Sequence, residues 1–159
     1  METATCIATV VLAFESRQTS SRQIGVQTWL ALEPRFDSNE MKRARKKLAE
    51  QLDSYDSNST KHNKITEEVL EFFESVGTVY NYKLLNKELA DSSFSYYANR
   101  WWEAAKTYVD KERKDKGDDN SLFSEFEKLV KTMRKKCDPV IDDKDLKNFL
   151  ADERRLKVD

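Results

Sequence analysis

Hydrophobic residues recur every three or four positions along most of the chain, which is the spacing of one face of an α-helix. The clearest stripes run through residues 41–55, 65–80, 94–109 and 122–133. No segment favours a strand. The pattern therefore predicts an all-α fold, an antiparallel bundle of five to six helices without a sheet, centred on the aromatic-rich second and third of these stripes.

The first two helices have recognisable boundaries. The first should span about 3–32, with an alternative break near Ser20, and Pro34 should end it because proline disfavours helix at the preceding residue. Beyond the break the apolar pattern resumes at Ile24, Thr28 and Leu30 to Leu32. Asp37, followed three residues later by Glu40, is typical of a reciprocal N-terminal cap and predicts the start of the second helix.

Polar and glycine residues predict the later boundaries. Gly77 interrupts its stripe, which indicates close helix packing or a kink. Asn86 should cap a short turn, and Ser92 or Ser93 should cap the aromatic-rich helix that follows. Basic residues followed by Gly117 are the expected end of that helix.

The C-terminal third continues the helical pattern. Asp119-Asn120 should restart a helix, and a last one should cover about 142–156. We divide the chain into an N-terminal apolar helix (1–35), a bundle core (36–137) and a C-terminal helix with a charged tail (138–159).

Composition excludes several classes of protein. Only 3 Gly and 2 Pro occur in 159 residues, too few for the turns of a sandwich or barrel or for a glycine-rich phosphate loop. With 28 basic and 29 acidic residues the net charge is -1, which indicates neither a nucleic acid nor an acidic lipid as partner. One histidine and two cysteines without CxxC spacing cannot complete a zinc set. We expect reduced thiols, a cytoplasmic location, and neither metal nor cofactor.

The most apolar run of the chain is at residues 3–14. It is shorter than the ~20 residues that cross a bilayer, so we predict no transmembrane segment. Its helical spacing favours a buried stripe or a self-association surface, and contact with a membrane surface is the alternative. The partner-binding candidates on this stripe are Ile7, Val10, Val11 and Phe14.

No catalytic residue is predicted. The sequence contains no nucleophile elbow, metalloprotease, Walker or dinucleotide-binding motif. Glu67, Glu71 and Glu74 share a helical face that could hold a divalent metal, but a solvated face opposite the apolar stripe is favoured. His62 has no evident nucleophile or acid beside it and should lie on the surface.

Aromatic residues provide a second candidate surface. Tyr96, Asn99 and Trp102 could line a partner-binding face, where tyrosine and tryptophan are enriched. The favoured interpretation places Trp101 and Trp102 in the core with their N–H groups bonded.

Two basic clusters could contact phosphates, but a solvated or salt-bridged face is favoured for both. The first consists of Arg43, Arg45, Lys46 and Lys47, and the second of Arg134, Lys135 and Lys136.

Several landmarks are shared with a known family. They are Phe36-Asp37-Ser38-x-Glu40-Met41 with Arg45, Val69 to Glu74, Trp102 with Arg113, and Phe126-Glu127-x-Leu129. In these the chain resembles a family of short prokaryotic helical proteins catalogued only as a domain of unknown function, some of which carry an N-terminal membrane segment. The resemblance implies a helical fold and a prokaryotic setting, and it implies no activity. We expect Arg45 and Arg113, which match the landmarks, to pair with Glu71 or Glu74 and organise the bundle.

These observations predict a non-enzymatic helical interaction or scaffold module that self-associates or binds a protein partner. The alternative is a nucleic-acid-associated accessory protein that uses the basic face Arg43–Lys47.

Overall fold

The computed structural model describes residues 20–55, 65–135 and 140–158. Within these residues the chain forms six α-helices and no strand, which confirms the all-α prediction for the part described. The helices are α1 (residues 20–36), α2 (Asn39–Asp53), α3 (Glu68–Asn81), α4 (Lys87–Asp115), α5 (Ser124–Arg134) and α6 (Asp143–Arg154).

The corner between α1 and α2 differs from the prediction. α1 continues past Pro34, because the amide of Asp37 donates to the carbonyl of Glu33 at 3.2 Å and backbone bonding thus spans the proline. Proline has no backbone N–H, so a proline in the last turn of a helix removes one hydrogen bond without ending the helix. Ser38 rather than Asp37 is the cap of α2, and its hydroxyl accepts from the amide of Met41 at 3.2 Å. Serine and aspartate cap about equally well, so the sequence could not choose between them.

α4 is one continuous helix of 29 residues, so the predicted start at Ser92 or Ser93 is wrong. Asn86 caps this long helix, since its side chain accepts from the amide of Leu89 at 3.1 Å. Serine inside a helix costs only a few tenths of a kcal/mol. Ser93 also accepts a hydrogen bond from the indole of Trp29 at 3.0 Å, so it serves tertiary packing instead of a cap.

The segment between α4 and α5 turns where the sequence predicted a helix start at Asp119. Gly117 follows α4 with a φ of 80°, the expected geometry of a helix stop. The carboxylate of Asp119 accepts from the amide and hydroxyl of Ser121 at 2.9 and 2.6 Å, a local turn that competes with helix. Phe123 then adopts a left-handed φ of 54° and buries its ring before α5 begins at Ser124.

The core is centred on aromatic residues of α3 and α4, as predicted. The ring of Phe36, the last residue of α1, lies 5.2 Å from that of Phe72 and 4.8 Å from that of Tyr97. Trp101 is fully buried and meets the ring of Phe149 edge-on at 5.0 Å. Such offset or edge-on pairs add to the burial energy of the rings. They join α1 and α6 to the α3–α4 pair.

Hydrogen bonds at both ends of the α3–α4 pair show that these helices run antiparallel. The hydroxyl of Tyr80 in α3 donates to Asp91 near the start of α4 at 2.9 Å. The hydroxyl of Tyr108 in α4 donates to Glu67, just before α3, at 2.5 Å.

α1 lies along the first turns of α4 and runs in the same direction. The carbonyl of Gly25 accepts from the amide of Asn86 at 3.4 Å, and a Cβ on Gly25 would lie 2.9 Å from that nitrogen. One narrow face of α1 is therefore covered, and its members are Gly25, Trp29, Leu32 and Phe36. The opposite face remains open.

Candidate interaction surface

Arg45 is buried in the bundle, but its partner differs from the predicted one. Its Nε and Nη2 donate to the two carboxylate oxygens of Glu153 in α6, each at 2.7 Å. It pairs with neither Glu71 nor Glu74. Glu153 lies 108 positions away along the chain, so this pair joins α2 to the last helix. Removing one member of such a buried pair leaves an uncompensated charge.

Arg113 also has a partner other than Glu71 or Glu74. Its Nε and Nη2 donate to the carbonyl of Leu122 at 3.0 and 2.7 Å, and its Nη1 donates to Glu127 at 2.9 Å. The arginine thus holds the turn between α4 and α5, and we assign it a structural role.

The carboxylates of the predicted acidic row do not converge. Glu67 accepts the bond from Tyr108, and Glu74 accepts from two amides at the start of α5 at 3.2 and 2.7 Å. Glu71 is exposed. The expectation of one solvated acidic face is therefore wrong for Glu67 and Glu74. Across the described ranges, no group of three or more metal-ligating side chains occurs.

Trp102 is 6% exposed and packs edge-on against Phe126 at 5.2 Å, so its prediction as a partner-binding residue is wrong. Both indoles lie in the core, which was the interpretation that the sequence favoured. The N–H of Trp101 nevertheless has no hydrogen-bond acceptor among the residues the structure describes. Tyr96 is 51% exposed, with the guanidinium of Arg100 stacked 3.8 Å from its ring centre. Its role as a partner contact stays a prediction.

In each basic cluster, one arginine is paired with an acidic side chain of the same protein. Arg45 is buried against Glu153, so the face that could meet phosphates is reduced to exposed side chains of α2, namely Arg43, Lys46 and Lys47. Arg134 of the second cluster donates to the buried Asn99 at 2.9 Å and to Glu103 at 2.7 Å. Asn99 therefore faces the bundle and not a partner.

A cleft of about 440 Å³ lies between the beginnings of α2 and α3. Its lining residues are Arg35, Ser38, Glu40, Met41, Glu68 and Glu71. The hydroxyl of Ser38 already serves as the cap of α2. No histidine or cysteine faces the cleft among the residues described.

The outer side of α1 exposes apolar side chains, and two of them, Ile24 and Leu30, belong to the apolar pattern that the sequence analysis expected to be packed. Ile24 is 48% and Leu30 56% exposed, and Val26 is also open to solvent. We call these three residues the outer α1 surface. The buried residues follow spacings of four, three and four from Gly25 to Phe36, and this regular spacing was the signal that could have separated the two faces.

Two further apolar side chains are exposed in the segment between α3 and α4. Tyr82 and Leu84 are exposed on either side of Lys83, which has a left-handed φ of 62°. The next residue, Leu85, lies with its backbone against Gly25. The sequence analysis did not predict an exposed apolar surface at this turn.

A family model described as a domain of unknown function, DUF4760, matches residues 2–133. The chain belongs to this family. No curated protein and no solved structure matches it. The DUF4760 match confirms the resemblance to a domain of unknown function. It includes α1 to α4 and α5 as far as Met133, whereas α6 follows it.

Within the DUF4760 region, the apolar run at residues 3–14 lies outside the described residues. The candidates Ile7, Val10, Val11 and Phe14 therefore stay predictions, as does the placement of His62, which also lies outside them. Among the helices that the structure does describe, none is long and apolar enough to cross a membrane.

Proposed function

We propose that this DUF4760 chain is a non-enzymatic helical interaction module that self-associates through the outer α1 surface. One observation carries the proposal. Residues 23–32 contain no charged residue, although 36% of the chain is charged. The exposed face of a surface helix normally carries charges. The exposed residues of this segment are instead the apolar Ile24, Val26 and Leu30 together with Gln23, Gln27 and Ala31, so the outer side of α1 is an uncharged, partly apolar strip. That is the chemistry of a surface that another protein covers.

A second copy of the chain is the partner that fits this surface best. Two-fold interfaces bring the same patch of each subunit together, so a patch must be compatible with itself. A charged strip would repel its own copy, whereas the strip between Gln23 and Leu32 carries no charge that could do so.

The N-terminal run belongs to the same proposed surface. Ile7, Val10, Val11 and Phe14 lie upstream of α1, from which the polar residues 15–19 separate them, and they are apolar like residues 23–32. Self-association through α1 would bring the two copies of this run close together. The ionisable groups of the bundle support a role without catalysis, because Arg45, Arg113 and Glu74 are used in structural bonds.

Light scattering coupled to gel filtration tests the proposal at about 100 µM, where interfaces with micromolar Kd are populated. The full chain should elute with the mass of a dimer. Leu30→Lys should give a monomer, because a lysine within the uncharged strip places like charges across a two-fold interface. The chain lacking residues 1–16 should dimerise more weakly than the full chain.

Thr107→Lys is the matched control, since it adds the same charge at an exposed position of α4. It should leave the dimer intact. A full chain that is monomeric at this concentration, or a dimer that Leu30→Lys does not weaken, would contradict the proposal.

A further inference from the structure

One flank of α1 carries four residues at successive spacings of four, four and three positions, which is the spacing of one stripe along a helix. They are Arg22, Val26, Leu30 and Glu33, and we call them the Arg22–Glu33 stripe. At about 100° per residue the stripe covers an arc of about 80°. Ile24 lies about 160° from Val26, on the other flank of the helix. All members of the stripe are exposed except Glu33, which is half-buried.

The two ends of the stripe carry opposite charges. Arg22 and Glu33 lie about 16 Å apart along the axis, because an α-helix rises about 1.5 Å per residue. Residues 23–32 between them are uncharged. Within the described part of the chain, neither side chain forms a salt bridge with another residue. The stripe therefore presents a positive end, an apolar centre and a negative end.

A two-fold interface brings the stripe against its own copy, and the charges then select the direction in which the two helices run. In a parallel pair each Arg22 would face the other Arg22, and each Glu33 the other Glu33, so like charges would meet at both ends. In an antiparallel pair Arg22 of each copy faces Glu33 of the partner subunit, so opposite charges meet at both ends. Complementary charges fix the register of an interface, and like charges oppose the wrong arrangement.

The apolar centre of the stripe fits the same antiparallel register. The midpoint between Arg22 and Glu33 falls within one residue of the midpoint between Val26 and Leu30. A single antiparallel alignment therefore places Val26 against Leu30 of the partner subunit and joins the charged ends at the same time. Burial of the apolar pair supplies affinity. Exposed ion pairs contribute less affinity, because water and salt screen them, and they chiefly set the direction.

On the basis of the proposed self-association, we propose that two copies of the chain pair their α1 helices antiparallel through the Arg22–Glu33 stripe. Arg22 of one copy and Glu33 of the partner subunit close each end of the contact. Val26 and Leu30 form its centre, whereas Ile24 on the other flank lies outside it.

Reversal of the charges tests the direction of pairing. The Kd of the full-length dimer is measured by sedimentation equilibrium at about 50 mM salt, where surface charges are screened less than at physiological ionic strength. Arg22→Glu replaces both attractive pairs by contacts between two glutamates and should raise the Kd about tenfold or more. Glu33→Arg should act likewise through contacts between two arginines. The double variant Arg22→Glu with Glu33→Arg restores opposite charges and should return the Kd close to that of wild type.

Both reversals leave α1 itself intact. An acidic residue in the first turn and a basic residue in the last turn interact favourably with the helix dipole, so a weaker dimer does not reflect loss of the helix. Ile24→Lys is the control for position, since it adds a charge on the other flank of the same helix, and it should leave the Kd nearly unchanged. Salt at about 0.5 M should reduce the difference between Arg22→Glu and wild type.

The outcomes separate this arrangement from the proposed function. Suppose that Leu30→Lys disrupts the dimer but both single reversals keep the wild-type Kd. Antiparallel pairing would then be wrong, while self-association through α1 would stand. A double variant as weak as the single ones would also overturn the pairing, because the two positions would not face each other. A dimer that Ile24→Lys disrupts would place the contact on the other flank and overturn it too. A full chain that is monomeric at about 100 µM would contradict the proposed function together with this arrangement.

Discussion

At the scale of single residues, Gly77 decides how closely α3 and α5 approach. A Cβ at this position would lie 2.3 Å from the carbonyl oxygen of Glu125 and 2.6 Å from its carbon. Both are backbone atoms of the neighbouring helix, so they cannot swing aside as a side chain could. The same contact is flanked by Asn81, whose amide donates to Glu125. Glycine here is required by contact between backbones.

We expect Gly77→Ala to lower the free energy of unfolding by about 1–3 kcal/mol, the usual cost of overpacking. Helix propensity alone predicts the opposite sign, a gain of about 1 kcal/mol. Urea unfolding monitored by circular dichroism distinguishes these two expectations, because a destabilised variant has a lower midpoint than wild type. Ser75→Ala, at an exposed position of α3, should change stability by no more than about 0.5 kcal/mol. An unchanged or raised midpoint for Gly77→Ala would show that α5 can move away freely.

The sequence predicted that Gly77 matters but left close packing and a kink as alternatives. The choice depends on Glu125, which lies in a different helix and has no local signal. Arg45 and Arg113 present the same difficulty. An arginine is expected to pair with an acidic side chain, but the chain has 29 acidic residues. Only the packing of the helices selects Glu153 for Arg45 and Glu127 for Arg113.

At the scale of helices, the periodic pattern predicted where helices lie better than where they start. A helix begins where its first amides find acceptors, and these need not be close in sequence. α5 shows this, since its N-cap residue Phe123 makes no side-chain cap bond and the carboxylate of Glu74 in α3 accepts from its first amides instead. The expected local start at Asp119 was wrong for this reason. The outer face of α1 was misassigned similarly, because an apolar side chain has the same sequence signal whether a neighbour covers it or not.

The cap supplied by Glu74 can be measured. We expect Glu74→Ala to lower the free energy of unfolding by about 1–2 kcal/mol, the range for loss of a helix cap. Urea unfolding gives this value. Glu71→Ala removes the same charge from an exposed position of the same helix and should cost much less. An equal decrease in the free energy of unfolding in both variants would mean that the charge of α3 stabilises the protein and that the cap on α5 does not.

At the scale of the whole molecule, two buried tyrosines join α3 and α4 at opposite ends of the bundle. Burial raises the pKa of Tyr80 well above its ordinary value of about 10, and the hydrogen bond to Asp91 raises it further. Burial likewise raises the pKa of Tyr108, with a further contribution from the hydrogen bond to Glu67. In the folded protein both hydroxyls therefore keep their protons at a pH where the unfolded chain has lost them.

This difference predicts alkaline destabilisation. Below about pH 10 the tyrosines are protonated in both states, so their contribution is fully present. Above that pH the unfolded chain releases protons that the folded protein retains, and the free energy of unfolding falls as pH rises. Urea unfolding between about pH 8 and 11 should show this fall in wild type. The free energy of unfolding of the double variant Tyr80→Phe with Tyr108→Phe should fall less steeply with pH. It should start from a lower value, because the hydrogen bonds from the two hydroxyls to Asp91 and Glu67 are lost.

The exposed Tyr82 provides the control for this slope. Tyr82→Phe removes one phenol from the surface of the same protein, so lysine titration and overall charge repulsion act on it almost as on wild type. It should keep the wild-type dependence on pH. If the double variant also kept that dependence, the alkaline loss of stability would come from the net charge of the chain, and the hydroxyls that close the two ends of the α3–α4 pair would have no part in it.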